Sequence, residues 1–318
     1  MADKIVISEF LDEAALAAFG AGERVLYDPG LVDDPNALRS AVLDADALIV
    51  RNRTRVDPSL LAAAPALRVV GRLGVGLENI DLAACAQRGI TVWPATGANT
   101  QSVVEYVIGA MLALRRGVFA ATAEVASGAW PRAALGQGGE VSGLTLGLVG
   151  YGAIARAVAD VARALGMTIV AHDPYLSKTD PAWSGARSET FERLLSVADV
   201  LSLHVPLTDS TAGLLGPDAL LQMKPGALLI NTARGGIVDA PALVDALITG
   251  HLGGAALDVF ETEPLSGPAA ARFSACPNLI LTPHIAGVTR EANARVSQMT
   301  VENVCAALRK ARSANREE

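Results

Sequence analysis

Short apolar segments alternate with longer helical patterns along most of the chain. The apolar segments fall into two series, residues 4–8, 23–27, 46–50, 68–73 and 90–94, and then residues 145–150, 168–173, 200–206, 227–233, 254–260 and 278–284. Continuous apolar strands that alternate with helices favour a parallel sheet covered on both faces. The pattern therefore predicts an α/β protein with two parallel-sheet units, of which the second is the larger.

Three further segments indicate how the two units are connected. Residues 99–117 form one helical pattern between the two series, with two arginines near its end and a glycine after it, as is favoured where a helix stops. The glycine-rich segment 127–143 is typical of a loop or linker. The last helical pattern, residues 289–311, follows the final strand of the second unit. We therefore expect this helix to return to the first unit.

Composition narrows the classes of function and location. The chain has 318 residues, 51% of them apolar, and a formal net charge of −7, which argues against nucleic acid as the main partner. The N-terminus has no long apolar core and no run of about 18 apolar residues occurs, so neither a secretory signal nor a membrane span is expected. The three cysteines lack metal-like or redox spacing. We predict a cytoplasmic protein with reduced cysteines, no metal and no membrane partner.

A glycine-containing turn, 149-VGYGAIA-155, follows the first strand of the second series. Apolar residues at 154, 158, 161 and 165 then mark one face of a helix, so Gly150 and Gly152 lie at a strand-to-helix turn. The N–H groups and dipole of a helix start favour an anion, and a glycine at position 152 lets a pyrophosphate approach the backbone. Asp173 ends the next strand, where an acid binds the adenosine ribose and repels a 2′-phosphate. Together these features predict a Rossmann-like site for NAD rather than NADP, with a structural cap as the alternative role of Asp173.

Four polar residues lie at or just after the later strands of the second series. They are Arg234, Asp258, Glu263 and His284. Ligands of doubly wound sheets bind beyond the carboxyl ends of the strands, so a shared site accounts for all four together. Taken singly, Arg234 could form a surface ion pair, the two carboxylates could cap loops, and His284 could be an ordinary loop histidine.

These residue types suit the oxidation of a secondary alcohol by hydride transfer. A base must take the hydroxyl proton as hydride leaves the carbon, and the reverse reaction needs an acid. Histidine titrates nearest neutral pH, so His284 fits both directions, and Glu263 beside it would stabilise the protonated imidazole. The guanidinium of Arg234 matches a carboxylate and can polarise the adjacent carbonyl. Asp258 could orient either the nicotinamide or Arg234.

Four motifs carry a close resemblance to the D-isomer-specific 2-hydroxyacid dehydrogenase family, in its phosphoglycerate-dehydrogenase-like branch. They are 149-VGYGAIA-155, 232-TARGGIVD-239, 257-LDVFETEP-264 and 283-PHIAG-287. The resemblance implies that Arg234, Glu263 and His284 are catalytic. It also implies two Rossmann/flavodoxin-like doubly wound domains with a cleft between them. Residues 98–285 would bind NAD, and residues 1–97, completed by 286–318, would bind the substrate.

The resemblance further implies the ligand contacts and the assembly. The cofactor site would comprise Gly150, Gly152, Ala153, Ile154, Asp173, His204, Pro206, Thr232, Ala233, Asp258 and Gly287. The backbone of Val75 and Gly76 would hold the substrate carboxylate, together with Arg234. His204 taken alone is equally consistent with an ordinary histidine at a strand end. Two copies of the chain would form a homodimer around their NAD domains.

The segment 50-VRNRTRVD-57 bears on the identity of the substrate. Arg51, Asn52 and two further arginines follow a strand of the first unit, and such basic density suits a substrate with a second anionic group. A solvated basic loop is the alternative. The segments 7-ISEFLDEAAL-16 and 50-VRNRT-54 are similar to those of sulfolactate dehydrogenases. We therefore expect a small 2-hydroxy or 2-oxo acid, with 3-sulfolactate ahead of 3-phosphoglycerate and of acids without a charged tail.

Two other functions stay open at this point. Some proteins of this fold sense NAD and bind other proteins without catalysis, which predicts an interaction tail or an apolar surface groove. The C-terminal tail here is short and charged. Formate-type relatives lack the acidic partner of the histidine, and Glu263 argues against them.

Overall fold

The computed structural model describes residues 2–20 and 22–314 and divides into two compact units. One unit comprises Met1–Asn99 with Val288–Glu318, and the other comprises Thr100–Gly287. Each boundary lies two residues beyond the one expected from the sequence. Each unit contains one parallel sheet, so the predicted α/β architecture is confirmed. Within the described ranges, no helix combines the length and the apolar stretch that a bilayer crossing requires.

The first unit is built on a five-stranded sheet in which every strand is parallel to its neighbours. The strands are β1 (Lys4–Ile7), β2 (Arg24–Tyr27), β3 (Ala47–Val50), β4 (Val69–Arg72) and β5 (Thr91–Pro94), in the order β2-β1-β3-β4-β5. The α-helices are Pro35–Val42, Pro58–Ala62, Leu82–Gln87 and Arg290–Ala314, and 3₁₀ turns span Glu13–Ala18 and Pro29–Asp33. All of β3 is buried because Leu48 and Ile49 point into separate cores on opposite faces of the sheet.

The C-terminal helix, Arg290–Ala314, covers one face of this sheet, as the sequence predicts. Its apolar residues, including Val301 and Val304, share a buried core with alternate residues of β1 and β3. Gly71 in β4 allows the close approach, because a Cβ built there would lie only 2.5 Å from Cγ2 of Val304. The first unit is therefore assembled from both ends of the chain.

The second unit is built on a seven-stranded parallel sheet. The strands are β6 (Thr145–Val149), β7 (Thr168–His172), β8 (Arg187–Ser188), β9 (Val200–Leu203), β10 (Leu228–Asn231), β11 (Gly254–Leu257) and β12 (Leu279–Leu281), in the order β12-β11-β10-β9-β6-β7-β8. The α-helices are Thr100–Arg116, Thr122–Ala126, Arg132–Leu135, Ala153–Ala164, Phe191–Val197, Pro217–Gln222, Ala240–Ile248 and Gly267–Ala271, and 3₁₀ turns span Phe119–Ala121, Pro181–Trp183 and Gly235–Ile237. The sequence pattern identifies every strand except β8, whose two residues are too few to show a pattern.

The strand order determines where a ligand can bind in the second unit. The chain starts at β6, runs outward through β7 and β8, and then continues on the other side of β6 through β9 to β12. Such a reversal opens a crevice beyond the carboxyl ends of the strands. The glycine turn follows β6, Arg234 follows β10, Asp258 follows β11 and His284 follows β12. Because all the strands are parallel, these residues lie at one edge of one sheet.

Candidate active site

The turn after β6 needs its two glycines for different reasons. Gly150 has a φ of +83°, and a Cβ built there would lie 2.6 Å from the carbonyl oxygen of His204. The fold itself therefore excludes a side chain at Gly150. Gly152 has extended backbone, and a Cβ there would meet no atom of the described chain within 4 Å. The protein's own packing therefore gives no reason for glycine at 152, whereas a group bound against the backbone does.

Hydrogen-bonding groups left without partners fit the same bound group. The helix Ala153–Ala164 begins after Gly152 without a side-chain cap, so the N–H groups of Ala153 and Ile154 remain available to an anion. Across the turn after β10, the Oγ1 of Thr232 is buried and has no hydrogen-bond partner in the described part of the chain. Buried hydroxyls without partners are rare in native proteins. These groups suit a pyrophosphate and a further hydrogen-bonding group of the same ligand.

Asp173 has the structural role that the sequence left as an alternative. Its Oδ2 accepts a hydrogen bond of 2.9 Å from the N–H of Tyr151, in the glycine turn, and its Oδ1 accepts one of 3.0 Å from the N–H of Tyr175. A carboxylate offers about four acceptor positions, so capacity for ribose hydroxyls remains. The carboxylate is thus held beside the glycine turn, where an acid in this fold meets the adenosine ribose.

His204 and Pro206 follow β9 and flank the glycine turn from the other side. The Nε2 of His204 lies 2.9 Å from Oγ of the buried Ser202, and burial lowers the pKa of this imidazole to about 4. His204 is therefore neutral near pH 7 and does not add a positive charge to the site. Pro206 is exposed, and its carbonyl accepts a hydrogen bond of 2.6 Å from the hydroxyl of Thr211.

The loop after β10 is held by Asn231, a residue that the sequence analysis did not single out. Its side chain is almost fully buried; it accepts from the N–H of Ala233 at 3.0 Å and donates to the carbonyl of Arg234 at 2.9 Å. Arg234 also donates from Nη1 to the carbonyl of Ala233 at 2.6 Å. A Cβ built on Gly235 would lie 1.9 Å from the backbone carbon of Phe260. The loop that carries Arg234 is therefore packed directly on the loop that leads to Glu263.

Asp258 organises the turn that carries the histidine. Its side chain is buried, and its Oδ1 accepts from the hydroxyl of Thr282 at 2.6 Å and from the N–H of Ile285 at 2.8 Å. Its Oδ2 accepts from the N–H of Ala286 at 2.8 Å, just before Gly287. The hydroxyls of Thr282 and Tyr106 are 2.6 Å apart. The sequence suggested a role for Asp258 toward the nicotinamide or Arg234, and the structure adds this support of the turn.

His284 and Glu263, the expected acid–base pair, are in direct contact. The Nδ1 of His284 lies 2.7 Å from Oε2 of Glu263. His284 has a φ of +56°, and its N–H donates to the carbonyl of Asp258 at 2.8 Å. Since a carboxylate only accepts, Nδ1 is assigned the proton, and Nε2 is left to take or give one. Glu263 is held in turn by the N–H of Phe260, which donates to its Oε1 at 3.0 Å.

The first unit carries the residues that the sequence assigned to the substrate. Val75 and Gly76 follow β4, and within the described ranges their N–H groups donate no hydrogen bond. Arg51 and Asn52 follow β3, and the side chain of Asn52 is exposed. Arg51 donates from Nη2 to the Oδ1 of Asn293 at 2.9 Å, so the hydrogen-bond partner of its guanidinium among the described residues is a neutral amide.

Comparison with known proteins identifies the family to which this site belongs. The NAD binding domain of the D-isomer specific 2-hydroxyacid dehydrogenases matches residues 108–286. The chain belongs to this family. The family assignment, the NAD dependence and the class of enzyme predicted from the sequence are thereby confirmed. The chain is an NAD-dependent 2-hydroxyacid dehydrogenase.

Individual members of the 2-hydroxyacid dehydrogenase family resemble the chain over most of its length. It is 54% identical over 305 residues to the (S)-sulfolactate dehydrogenase of Chromohalobacter salexigens, and this alignment covers 96% of this chain and 98% of that protein. It is 40% identical over 304 residues to the D-3-phosphoglycerate dehydrogenase of Mycobacterium tuberculosis, but spans only 56% of that protein's length. The structure of D-lactate dehydrogenase from Aquifex aeolicus complexed with NAD and lactic acid superimposes with a TM-score of 0.82, at 28% identity, and covers 97% of this chain and 96% of that one.

Proposed function

We propose that this dehydrogenase transfers a hydride between NAD(H) and the C2 atom of a small D-2-hydroxy acid or its 2-oxo acid, with Arg234, Glu263 and His284 as catalytic residues. The observation that carries the proposal is the 2.7 Å contact between His284 and Glu263, and the loop that leads to Glu263 packs on the Arg234 loop. In oxidation, the Nε2 of His284 takes the hydroxyl proton, and the carboxylate of Glu263 stabilises the resulting imidazolium. In reduction the same atom returns the proton. The guanidinium of Arg234 binds the substrate carboxylate and polarises the C2 carbonyl.

The residues around the glycine turn would hold NAD, which when bound supplies or accepts the hydride. The N–H groups of Ala153 and Ile154 would meet the pyrophosphate beside Gly152, because the helix start there is uncapped. Asp173 would bind the adenosine ribose. The remaining contacts would come from Gly150, His204, Pro206, Thr232, Ala233, Asp258 and Gly287. The buried hydroxyl of Thr232, which has no hydrogen-bond partner among the described residues, supports this assignment most directly.

We propose further that the substrate has an anionic tail, with 3-sulfolactate first and 3-phosphoglycerate second. The guanidinium of Arg51 supports this, since its hydrogen-bond partner among the described residues is a neutral amide, which leaves most of its donors for an anion. The 54% identity to an (S)-sulfolactate dehydrogenase supports the sulfonate in particular. At that carbon the sulfomethyl group outranks the carboxylate in naming, so S denotes the spatial arrangement of a D-2-hydroxy acid. The proposed substrate residues are completed by the N–H groups of Val75 and Gly76 and by the side chain of Asn52, all in the first unit.

A substrate panel tests this function. Reduction of NAD is measured with 3-sulfolactate, 3-phosphoglycerate, D-lactate and D-glycerate, and kcat/KM should be highest for 3-sulfolactate. Equal or better turnover of the acids without a charged tail would contradict the anionic-tail proposal. The Arg51→Gln variant should lose about 10- to 100-fold in kcat/KM for 3-sulfolactate, the worth of a charge-assisted hydrogen bond. Arg55→Gln removes an exposed charge from the same segment and serves as the matched control.

The catalytic assignment is tested separately with His284→Gln. This variant should lower kcat by about 10²- to 10⁴-fold, the usual contribution of a general acid or base, while its KM for NAD stays unchanged. A His284→Gln enzyme with the kcat of the wild type would contradict the proposed proton transfer by His284.

We also propose that the protein is a homodimer in the cytoplasm. Between residues 119 and 135 the second unit exposes Phe119, Val125 and Trp130, at 68%, 43% and 76% of their surfaces, and clustered apolar exposure of this kind favours a protein partner. A second copy of the chain is the proposed partner. The free thiols of all three cysteines suit a reducing compartment. Light scattering should give twice the 32.7 kDa of one chain, and Trp130→Ser should shift the mass toward the monomer. A monomeric wild-type protein would contradict the proposal.

A further inference from the structure

A buried carboxylate supports the turn that carries Arg51. Glu9 follows β1, and only 4% of its surface is exposed. Its Oε1 accepts from the N–H groups of Arg51 at 2.8 Å and Thr54 at 2.9 Å. Its Oε2 accepts from the N–H groups of Arg53 at 3.1 Å and Asn52 at 3.3 Å. Four consecutive backbone N–H groups therefore surround one carboxylate, in the manner in which backbone nests bind anions.

Hydrogen bonds from the backbone, rather than an ion pair, hold the carboxylate of Glu9, and the guanidinium groups of Arg51 and Arg53 attract it from a greater distance. Within the described ranges, no lysine or arginine lies within ion-pair distance of its carboxylate. Burial alone would raise the pKa of Glu9, but the hydrogen bonds from the backbone of Thr54, Arg51 and Arg53 lower it below the usual value. Glu9 is therefore ionised at neutral pH, and the turn 51–54 holds its shape around a fixed negative charge.

Other contacts fix the same turn from its remaining sides. The hydroxyls of Ser8 and Thr54, both buried, are 3.0 Å apart. The side-chain amide of Asn79 donates to the carbonyl of Thr54 at 2.7 Å. With its N–H groups bound by Glu9, the turn has no backbone donor left for an external anion. Only its side chains can therefore donate hydrogen bonds to a substrate.

The side chains of the two arginines in the turn are placed differently. Arg53 pairs with Asp33, and both side chains are more than half exposed. The guanidinium of Arg51 lies 5.8 Å from the centre of the Phe10 ring and bonds to Asn293. Phe10 is the residue after Glu9, so one short segment fixes both the backbone and the guanidinium of Arg51.

We infer that Glu9 is a positioning residue that sets the preference of the enzyme for substrates with an anionic tail, by holding the turn 51–54 and with it the guanidinium of Arg51. This inference rests on the proposed function. It assigns to Glu9 no contact with substrate and no part in proton or hydride transfer. The buried charge acts through the backbone of the turn.

The Glu9→Gln variant tests the inference, because the carboxamide has the same shape but presents an NH₂ group to two of the four N–H donors. Hydrogen exchange at the amides of residues 51–54 should accelerate about tenfold or more, as expected when hydrogen bonds to a charged group are lost. The KM for 3-sulfolactate should rise about tenfold, while kcat and the kcat/KM for D-lactate stay unchanged. Asp28→Asn is the matched control, since Asp28 follows β2 at the same edge of the sheet and its carboxylate accepts from the N–H of Gly30, at 2.8 Å, rather than from the turn 51–54.

The outcomes separate this inference from the proposed function. If exchange at residues 51–54 is unchanged, Glu9 does not hold the turn; if exchange accelerates but the KM for 3-sulfolactate does not, the turn does not set the preference. Either result overturns the inference. A wild-type enzyme without preference for charged tails would instead overturn the proposed function, and exchange would still report whether Glu9 holds the turn. If Glu9→Gln does not fold, two other measurements test the inference. The amides of residues 51–54 should exchange slowly in the wild type, and Glu9→Asp should show an intermediate rise in the KM for 3-sulfolactate. Rapid exchange in the wild type would refute the inference.

Discussion

The substitution Asp258→Asn tests the framework that presents His284. The buried carboxylate accepts three hydrogen bonds, two at Oδ1 and one at Oδ2. An asparagine can keep the oxygen toward Thr282 and Ile285, but its NH₂ group then faces the N–H of Ala286. The change removes one hydrogen bond to a charged group and leaves a buried donor without an acceptor, which costs about 2–4 kcal/mol of the free energy of unfolding. For a unit of this size, the midpoint of thermal unfolding should fall by about 5–15 °C.

Activity should fall further than stability alone explains. The N–H of His284 is bound by the carbonyl of Asp258, and the next two residues of the turn are bound by its carboxylate. A release of this turn moves the imidazole relative to its substrate, and a displacement of about 1 Å can reduce kcat about 100-fold. Steady-state kinetics and differential scanning calorimetry of the same preparation provide both measurements.

The chain offers a matched control for Asp258 at the opposite edge of the same sheet. Asp199 precedes β9, accepts from the N–H of Thr145 at 2.8 Å and pairs with Lys224. Asp199→Asn should also lower the unfolding midpoint, but it should leave kcat unchanged. The reasoning is refuted if Asp258→Asn keeps wild-type kcat, or if Asp199→Asn lowers kcat to the same extent.

Three further predictions concern packing, reactivity and acid stability. Gly71→Ala should destabilise the protein by about 1–3 kcal/mol in urea unfolding, because its Cβ would meet the C-terminal helix at 2.5 Å. Gly109→Ala, at an exposed helix position with open space around it, should not destabilise the protein. Equal effects of the two substitutions would contradict the close contact at Gly71. Cys276 should react with a thiol reagent well before Cys305, which is buried and has a pKa raised to about 11 by that burial; peptide mass spectrometry would reveal the reverse order. Burial lowers the pKa of His204 to about 4 in the folded state, whereas the pKa of an unfolded histidine is about 6.5. Between these two pH values the unfolded state binds a proton that the folded state does not bind. The free energy of unfolding therefore falls as the pH falls from about 6.5 to 4, by at most about 3 kcal/mol. His204→Gln should lack this loss in urea unfolding at pH 7 and 4.5, and an unchanged pH dependence would show that the histidine does not cause it.

The strands, and the positions of Arg234 and His284 just beyond them, could be predicted because they follow from apolar runs and the residues that end them. Arg234 and His284 each follow a buried strand within a few residues, and parallel strands bring such positions to one edge. The strand β8 could not be predicted, because Arg187–Ser188 is polar and its pairing with β7 depends on the finished sheet. The left-handed backbone conformation of His284 likewise depends on tertiary hydrogen bonds, such as the one from its N–H to the carbonyl of Asp258.

The supporting residues carry weaker sequence signals than the proposed catalytic ones. Asn231 and Glu9 are polar residues that end apolar strands, and this was the only signal available for either. Their partners differ in distance along the chain: Asn231 binds residues two and three positions away, whereas Glu9 binds a turn more than forty residues away. Only the three-dimensional structure shows that a single carboxylate there accepts four hydrogen bonds.

The docking of the C-terminal helix on the first sheet has a consequence for biosynthesis. The strands β1 to β5 leave the ribosome before the helix that covers one of their faces, which lies about 190 positions further along the chain. Synthesis of the intervening residues takes roughly 10–40 s at ~5–20 residues per second. The second unit, which is continuous in sequence, can complete its own cores during that interval. Until the helix is made, this apolar face is covered only in part, by residues such as Leu11 and Ala15. This is the stage at which chaperone binding would protect the nascent chain from aggregation.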